Sequence, residues 1–109
     1  INGTGGQTRD FLFIDDAVKA IMKAINFDIK KGFKIFDVCS GRLTSIYQLV
    51  KILEKFSGKK AFIRYNRQNQ EYKILAQKHE GVEIFYDWYP SVSLEEGLKK
   101  TISYFRDII

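Results

Sequence analysis

The chain has 109 residues, of which 45% are hydrophobic and 15% aromatic. That size allows a single domain, residues 1–109, to bury about 65% of the surface of the unfolded chain, and the composition argues against intrinsic disorder. No apolar run approaches the length of a membrane span. The single cysteine, Cys39, excludes an internal disulfide and predicts a reducing, cytoplasmic location. With only one histidine besides it, His79, the chain gives no support for a zinc site.

The net charge of +5 is concentrated in one part of the chain. The segment 51–73 contains seven basic and two acidic residues, which accounts for the whole excess. Such a segment predicts either an anion-binding face, for nucleotide phosphates or a polynucleotide, or a lysine-rich surface that serves solubility.

The first seventeen residues combine a glycine-rich loop, a short apolar run and an acidic helix start. The apolar run Phe11–Ile14 predicts a buried strand. The carboxylates of Asp15–Asp16 are suited to accept hydrogen bonds from the free N–H groups of the first helical turn. Arg9 lies where the loop meets the strand, a position suited to holding a charged ligand or to forming a structural ion pair with Asp10 or Asp37.

The rest of the chain alternates amphipathic helices with short strands. Apolar residues at helical spacing and two capping boxes predict three main helices: Asp16–Asn26, the stretch from Ser45 to Gly58, and the stretch from Ser93 to Ile109. Apolar, β-branched and aromatic runs predict further strands: Lys34–Val38, Ala61–Tyr65 and Lys73–Ala76. A polar loop and one or two helical turns complete the pattern: Arg67–Tyr72 and His79–Phe85. The pattern predicts an α+β fold, with a small mixed sheet of three or four short strands and three main helices.

Three motifs carry a family resemblance. They are residues 3–11 (GTGGQTRDF), residues 34–41 (KIFDVCSG), and Trp88-x-Pro90 followed by residues 92–98 (VSLEEGL). Together they resemble the extended short-chain dehydrogenase/reductases that act on nucleotide sugars, which are NAD-dependent epimerases and dehydratases. The resemblance covers the last third or so of a typical family member.

The resemblance implies the substrate-binding lobe of such an enzyme, without its Rossmann lobe. It implies that Arg9 and Arg67 contact the diphosphate of a nucleotide sugar, and that Gln7, Phe11 and Gln70 belong to the same substrate site. The sequence departs from the family pattern at Gln70, where the family has aspartate, and in two further places: Asp37 replaces asparagine, and Ala76-Gln77 replaces Ala-Asp.

The family's catalytic and cofactor motifs are missing from this sequence. The run Gly3-x-Gly5-Gly6 lacks the third glycine of the NAD fingerprint, and no strand precedes it. One tyrosine has a lysine four places later, Tyr47-x-x-x-Lys51, but the pair lies inside a predicted amphipathic helix. We therefore expect no catalytic residue and no cofactor-binding residue in this chain, with NAD bound by the intact parent protein. The chain begins at Ile1 without methionine, and we expect it to be a piece of that longer protein.

Two other functions remain open at this point. The first is a small basic nucleic-acid-binding module that uses the segment 51–73, with Tyr65 and Tyr72 as stacking platforms. The second is a degenerate accessory domain that acts through protein contacts. If a partner lobe is missing, the apolar patch left behind predicts a homodimer.

Overall fold

Three helices and one short strand pair make up the described fold. The structure, a computed structural model, describes residues 1–66 and 87–108. The elements follow in the order β1 (Thr8–Asp10), α1 (Ile14–Ile25), β2 (Leu43–Ser45), α2 (Ile46–Ser57) and α3 (Leu94–Ile108). The predicted α+β class with three main helices is confirmed. The predicted loop 67–72, the strand Lys73–Ala76 and the helical turns His79–Phe85 lie outside the described residues.

Strands β1 and β2 pair antiparallel and form the only sheet within the described residues. Arg9 is the middle residue of β1 and pairs with Thr44 in β2. The ladder continues into helix α2, because Ile46 N donates to Gln7 O at 3.1 Å and Tyr47 N donates to Gly5 O at 2.9 Å. The glycine-rich loop is thereby fastened to the start of α2.

The predicted strand over Phe11–Ile14 is wrong. The ladder ends at Asp10, and Ile14 is already the first residue of α1. The apolar side chains of this run are used for packing rather than for a strand: Leu12 packs against the buried core and Phe13 packs against α3.

The segments Lys34–Val38 and Ala61–Tyr65 are also not strands in the described part of the chain. Their composition suits a pleated and half-buried surface, but a strand needs a continuous ladder, and within the described residues only isolated bridges occur there, at Phe36 and, just after the second segment, at Asn66. Phe62, in the second segment, is 93% exposed. The segment ends in an isolated parallel bridge between Asn66 and Asn2. The described sheet therefore has two antiparallel strands, where a mixed sheet of three or four was predicted.

Helix α2 begins and ends as predicted. Ser45 Oγ accepts a hydrogen bond from Gln48 N at 3.1 Å, and Gln48 Oε1 accepts one from Ser45 N at 2.9 Å, which completes the capping box. Gly58 ends the helix with a φ of 71°, a left-handed conformation that glycine adopts without strain. All of these signals lie within a few residues of the helix ends, which is why the sequence alone reveals them.

Helix α1 begins two residues before the predicted start, and the predicted capping role of Asp16 is wrong. The side chain of Asp16 is completely buried and accepts hydrogen bonds from the segment that precedes α3. Oδ2 accepts from Ser91 N at 3.0 Å and from Val92 N at 2.9 Å, and Oδ1 accepts from Ser91 Oγ at 2.8 Å. The Asp16 carbonyl also accepts a hydrogen bond from Trp88 Nε1 at 3.1 Å. One residue thus fastens α1 to residues 88–92.

The Asp16 carboxylate stays charged despite its burial. Burial raises the pKa of the Asp16 carboxyl, but the hydrogen bonds from Val92 and Ser91, with the charge of Lys19, together bring the pKa below its ordinary value. The Lys19 ammonium is 3.9 Å from Oδ1. Next to this carboxylate lies the small apolar core, in which Ala20 and Trp88 are buried and Leu12 and Phe36 are packed against them.

Helix α3 approaches the start of α1 closely because it carries a glycine at the contact. A Cβ atom added at Gly97 would lie 2.8 Å from Phe13 Cδ2 and 3.3 Å from Phe13 Cβ. At its other end α3 is tied to α2, since Arg106 Nη2 donates to Ser57 O at 2.9 Å. None of the helices in the described ranges has the length and apolar character that crossing a membrane requires.

Replacing Asp16 by alanine should lower the free energy of unfolding by about 3 kcal/mol at neutral pH, because the donors of Ser91 and Val92 lose a charged acceptor. Since the folded-state pKa of Asp16 is lowered, its contribution is complete above about pH 4 and is lost as the pH falls through the lower, folded-state value. Urea unfolding of wild type and Asp16→Ala at pH 7 and at pH 3 measures both effects. The exposed neighbour Asp15, changed to alanine, is the control; equal losses for the two variants at pH 7 would contradict this role.

Replacing Gly97 by alanine should lower the free energy of unfolding by about 1 kcal/mol. The clash with Phe13 destabilises the fold by about 1–3 kcal/mol, whereas the higher helix propensity of alanine stabilises it by at most about 1 kcal/mol. In a Phe13→Ala background the same change should instead be neutral or stabilising, because the ring that it meets is gone. Thermal unfolding of the four variants in this cycle tests the contact, and a stabilising Gly97→Ala in the wild-type background would refute it.

Candidate functional site

Arg9 is fixed to the sheet at the middle of β1. Its side chain is half-buried, and Nη1 donates a hydrogen bond to the Thr8 carbonyl at 2.8 Å. Neighbouring side chains along a strand point to opposite faces, so Arg9 shares a face of the ladder with its partner Thr44. A guanidinium group held in this way presents a planar set of donors, the geometry that carboxylate and phosphate groups accept best.

Asp10 anchors the turn that leads into β2. Its Oδ1 accepts a hydrogen bond from Ser40 N and its Oδ2 accepts one from Gly41 N, both at 2.8 Å. Gly41 has a φ of 74°, so the turn requires a residue that tolerates the left-handed region. The Asp10 carboxylate, one of the two ion-pair partners predicted for Arg9, therefore holds the backbone of this turn.

An open groove of about 670 Å³ runs between this turn and the start of α3. It is lined by Phe11, Ser40, Arg42, Thr44 and Ile52, and by residues 90–95, which include the carboxylate of Glu95. Thr44, the ladder partner of Arg9, is part of this lining, whereas Arg9 itself is not among the lining residues. The residues that β1, β2 and their turn contribute to the lining include one aromatic ring, two hydroxyl groups and one guanidinium group.

The other residues predicted for the substrate site do not all lie in the groove. Gln7 is buried, and its Nε2 donates to the Asn2 carbonyl at 2.5 Å, so its side chain stabilises the glycine-rich loop. Phe11 is among the residues that line the groove, and its assignment to the substrate site stays a prediction. Arg67 and Gln70 lie outside the described residues. Their assignment to the substrate site remains a prediction from the motifs.

Arg42 is the groove residue that the sequence analysis did not identify. It lies outside the three motifs, in the turn just before β2, and the fold places it in the lining of the groove. Arg42 could have been recognised only if β2 had been predicted, because the arginine directly precedes that strand.

The pair Tyr47 and Lys51 lies on the surface of α2. Lys51 Nζ is 2.9 Å from Glu54 Oε2 and also lies 5.3 Å from the centre of the Tyr47 ring. The hydrogen bond with Glu54 raises the pKa of the Lys51 ammonium. Such contacts at spacings of three and four residues are ordinary on a helix, so the pair needs no catalytic explanation. Among the described residues there is also no cluster of three side chains that could bind a metal ion.

The lysine-rich region is partly neutralised by its own contacts. Glu54 accepts hydrogen bonds from Lys51 and, at 2.9 Å, from Ala61 N, and these bonds lower the pKa of the Glu54 carboxyl. The ammonium groups of Lys55 and Lys99 lie 5.3 and 4.6 Å from the centre of the Phe56 ring. The described part of this region therefore has the features of a solvated helix surface.

Replacing Asp10 by alanine should lower the free energy of unfolding by about 1–2 kcal/mol, because two backbone N–H groups lose a charged acceptor. The change should be local, so the amides of Ser40 and Gly41 should exchange hydrogen about tenfold faster. Asp28→Ala, which removes an exposed carboxylate, is the matched control. Unchanged exchange at both amides would show that Asp10 does not fix the turn.

Comparison with known proteins gives relatives for the whole chain, although no protein-family model matches it. The UDP-glucuronate 4-epimerase of Thermodesulfobacterium geofontis is 32% identical over 111 residues, which covers 100% of this chain and 33% of that protein. The dTDP-D-glucose 4,6-dehydratase of Bos taurus is 30% identical over 120 residues, which covers 98% of this chain and 32% of that protein. The chain spans about a third of the length of these relatives.

Solved structures give the same result for the fold. The UDP-glucose 4-epimerase of Thermotoga maritima, crystallised with UDP-glucose, matches 99% of this chain and 34% of its own, with a TM-score of 0.70 and 32% identity. The UDP-glucuronic acid 4-epimerase of Bacillus cereus, in complex with UDP-glucuronic acid and NAD, matches 100% of this chain and 35% of its own, with a TM-score of 0.76 and 26% identity. The resemblance predicted from the three motifs is confirmed: the chain is related, over about one third of their length, to the NAD-dependent nucleotide-sugar epimerases and dehydratases of the extended short-chain dehydrogenase/reductase family.

Proposed function

We propose that this chain is the lobe of a nucleotide-sugar epimerase or dehydratase that binds the nucleotide diphosphate, and that it has no catalytic activity alone. The observation that carries the proposal is the position of Arg9, half-buried at the centre of the ladder and paired there with Thr44, which lines the groove. The ligand class is supported by the relatives, whose structures contain UDP-glucose and UDP-glucuronic acid.

The groups around the groove suit a nucleotide diphosphate. Arg9 would bind phosphate oxygens through charge-assisted hydrogen bonds, and Arg42 supplies a second guanidinium group from the groove lining. The hydroxyl groups of Ser40 and Thr44 can donate to the remaining oxygens, and the Phe11 ring offers an apolar surface to the sugar or the base. The motif match adds Arg67 as a further phosphate contact.

The chemistry of the reaction would belong to a second lobe. A Rossmann lobe of the parent protein would bind NAD, which supplies hydride transfer with the sugar, while this chain holds the diphosphate away from the reacting carbon. Binding energy spent on a remote group orients the sugar and so accelerates hydride transfer. This division explains why the sequence has phosphate-binding motifs without the NAD fingerprint. The single cysteine supports a cytoplasmic location for the protein.

The affinity for UDP tests the role of the two arginines. Each should contribute about 1.5–3 kcal/mol through charge-assisted hydrogen bonds, so Arg9→Ala and Arg67→Ala should each weaken UDP binding roughly ten- to hundredfold. Lysine at either position should restore little of the loss, because an ammonium group cannot form the planar bidentate contact. Calorimetric titration of UDP into the chain and its variants gives the affinities.

Arg106→Ala is the control for lost positive charge. This arginine donates to Ser57 O near the end of α2, away from the groove, so its loss should change UDP affinity by less than about 0.5 kcal/mol. Circular dichroism establishes that each variant is folded. Equal affinities for the Arg9, Arg67 and Arg106 variants, all folded, would refute the proposed site and would leave Arg9 a structural residue of the β1 strand.

A further inference from the structure

One acidic side chain lines the groove, and its charge is not paired in the described part of the chain. Glu95, in the first turn of α3, is exposed and belongs to the groove lining. Within residues 1–66 and 87–108, no hydrogen bond or ion pair involves its carboxylate. Its neighbour Glu96 is outside the lining, and its Oε1 is 3.6 Å from the Lys100 ammonium. Both glutamates suit the positive end of the helix dipole, but only Glu95 also contributes its charge to the groove.

The Glu95 carboxylate acts on charges throughout the groove. A volume of about 670 Å³ equals that of a cube with an edge of about 9 Å. The Debye length at physiological ionic strength is about 8 Å, so salt only partly screens the interaction between Glu95 and a charged group bound in the groove. A bound ligand also displaces water, which lowers the local dielectric constant and strengthens the interaction. The carboxylate therefore affects which charges a ligand can carry.

The positive charges at the groove, within the described residues, match those of a diphosphate. Arg42 lines the groove, and Arg9 pairs in the ladder with another lining residue. Two guanidinium groups suit the two ionised phosphate groups of a nucleotide sugar. The carboxylates of Asp10 and Asp16, which hold the two sides of the groove by hydrogen bonds, add no positive charge. A third anionic group on the ligand would therefore meet Glu95 without a cation of its own.

We propose that Glu95 is a specificity-determining residue, which makes this site bind nucleotide sugars with an uncharged sugar more tightly than those with an acidic sugar. This inference rests on the proposed function, because it takes the groove to hold the nucleotide diphosphate. A carboxylate repels a uronic acid, whereas it accepts hydrogen bonds from the hydroxyl groups of a neutral sugar. Arg67 does not alter this expectation, because the motifs assign it to the same diphosphate.

Affinities for UDP-glucose and UDP-glucuronic acid test the inference, because the second ligand has a carboxylate where the first has a hydroxymethyl group. Calorimetric titration at low salt should show that the wild-type chain binds UDP-glucose about tenfold more tightly. Glu95→Gln keeps the shape of the side chain and removes its charge. It should reduce this ratio to about twofold or less, through tighter binding of UDP-glucuronic acid. Added salt should reduce the wild-type ratio in the same direction.

Glu96→Gln is the matched control, because it removes an exposed carboxylate one residue away that does not line the groove. It should leave the ratio near tenfold. Both positions are exposed, so both variants should melt within a few degrees of the wild-type chain. The wild-type ratio needs no variant at all, so equal affinities of the unaltered chain for the two ligands would overturn the inference by themselves.

Two further results would overturn it. The first is a ratio that Glu95→Gln leaves unchanged in the folded variant. The second is a wild-type preference for UDP-glucuronic acid that Arg42→Ala abolishes, because Arg42 would then bind the carboxylate of the sugar.

Titration of UDP, which carries no sugar beyond its ribose, separates this inference from the proposed function. A wild-type chain that does not bind UDP would refute the diphosphate site, and the role of Glu95 with it. UDP binding that is weakened by Arg9→Ala, together with equal affinities for the two nucleotide sugars, would leave the diphosphate site standing and refute the role of Glu95 alone.

Discussion

The buried carboxylate of Asp16 is the interaction on which the rest of the described structure depends. It accepts hydrogen bonds from Ser91 and Val92, about 75 positions further along the chain, and so fastens α1 to the segment that starts α3. An unpaired charge at such a position would cost several kcal/mol, so the donors must occupy their places whenever the chain is folded. With a core of few buried apolar side chains in the described residues, this polar contact holds the segment before α3 against α1.

The groove depends on two aspartates in the same way. Asp10 fixes the turn before β2 and thereby one side of the groove, while Asp16 fixes residues 91 and 92 on the other. Neither carboxylate is needed to touch a ligand in the proposed site. In the proposed site, Arg9 would bind the anion beside a groove whose two sides are fixed by hydrogen bonds to β1 and to α1.

The sequence predicts those parts of the fold that are determined by residues close together in the chain. The capping box at Ser45, the Ser93 hydroxyl that accepts a hydrogen bond from Glu96 N, and the stop at Gly58 each require only neighbouring residues, so α2 and α3 begin where the sequence predicts. A strand needs a pairing partner, which the local sequence does not specify. The prediction of a strand over the apolar run Phe11–Ile14 is wrong for this reason. The role of Asp16 was missed because its donors lie far along the chain, and that of Arg42 because it lies outside the motifs. The family resemblance succeeded because its motifs are read from contiguous residues.

Nuclear magnetic resonance with UDP added to the isotope-labelled chain would locate the ligand without any substitution. If the diphosphate binds beside Arg9, saturable shifts should concentrate at β1 and at the turn before β2, residues 8–11 and 40–44, and extend to the start of α3. Shifts confined to the lysine-rich end of α2 around Phe56 and Arg106, or no saturable shifts at all, would contradict a diphosphate site in the groove.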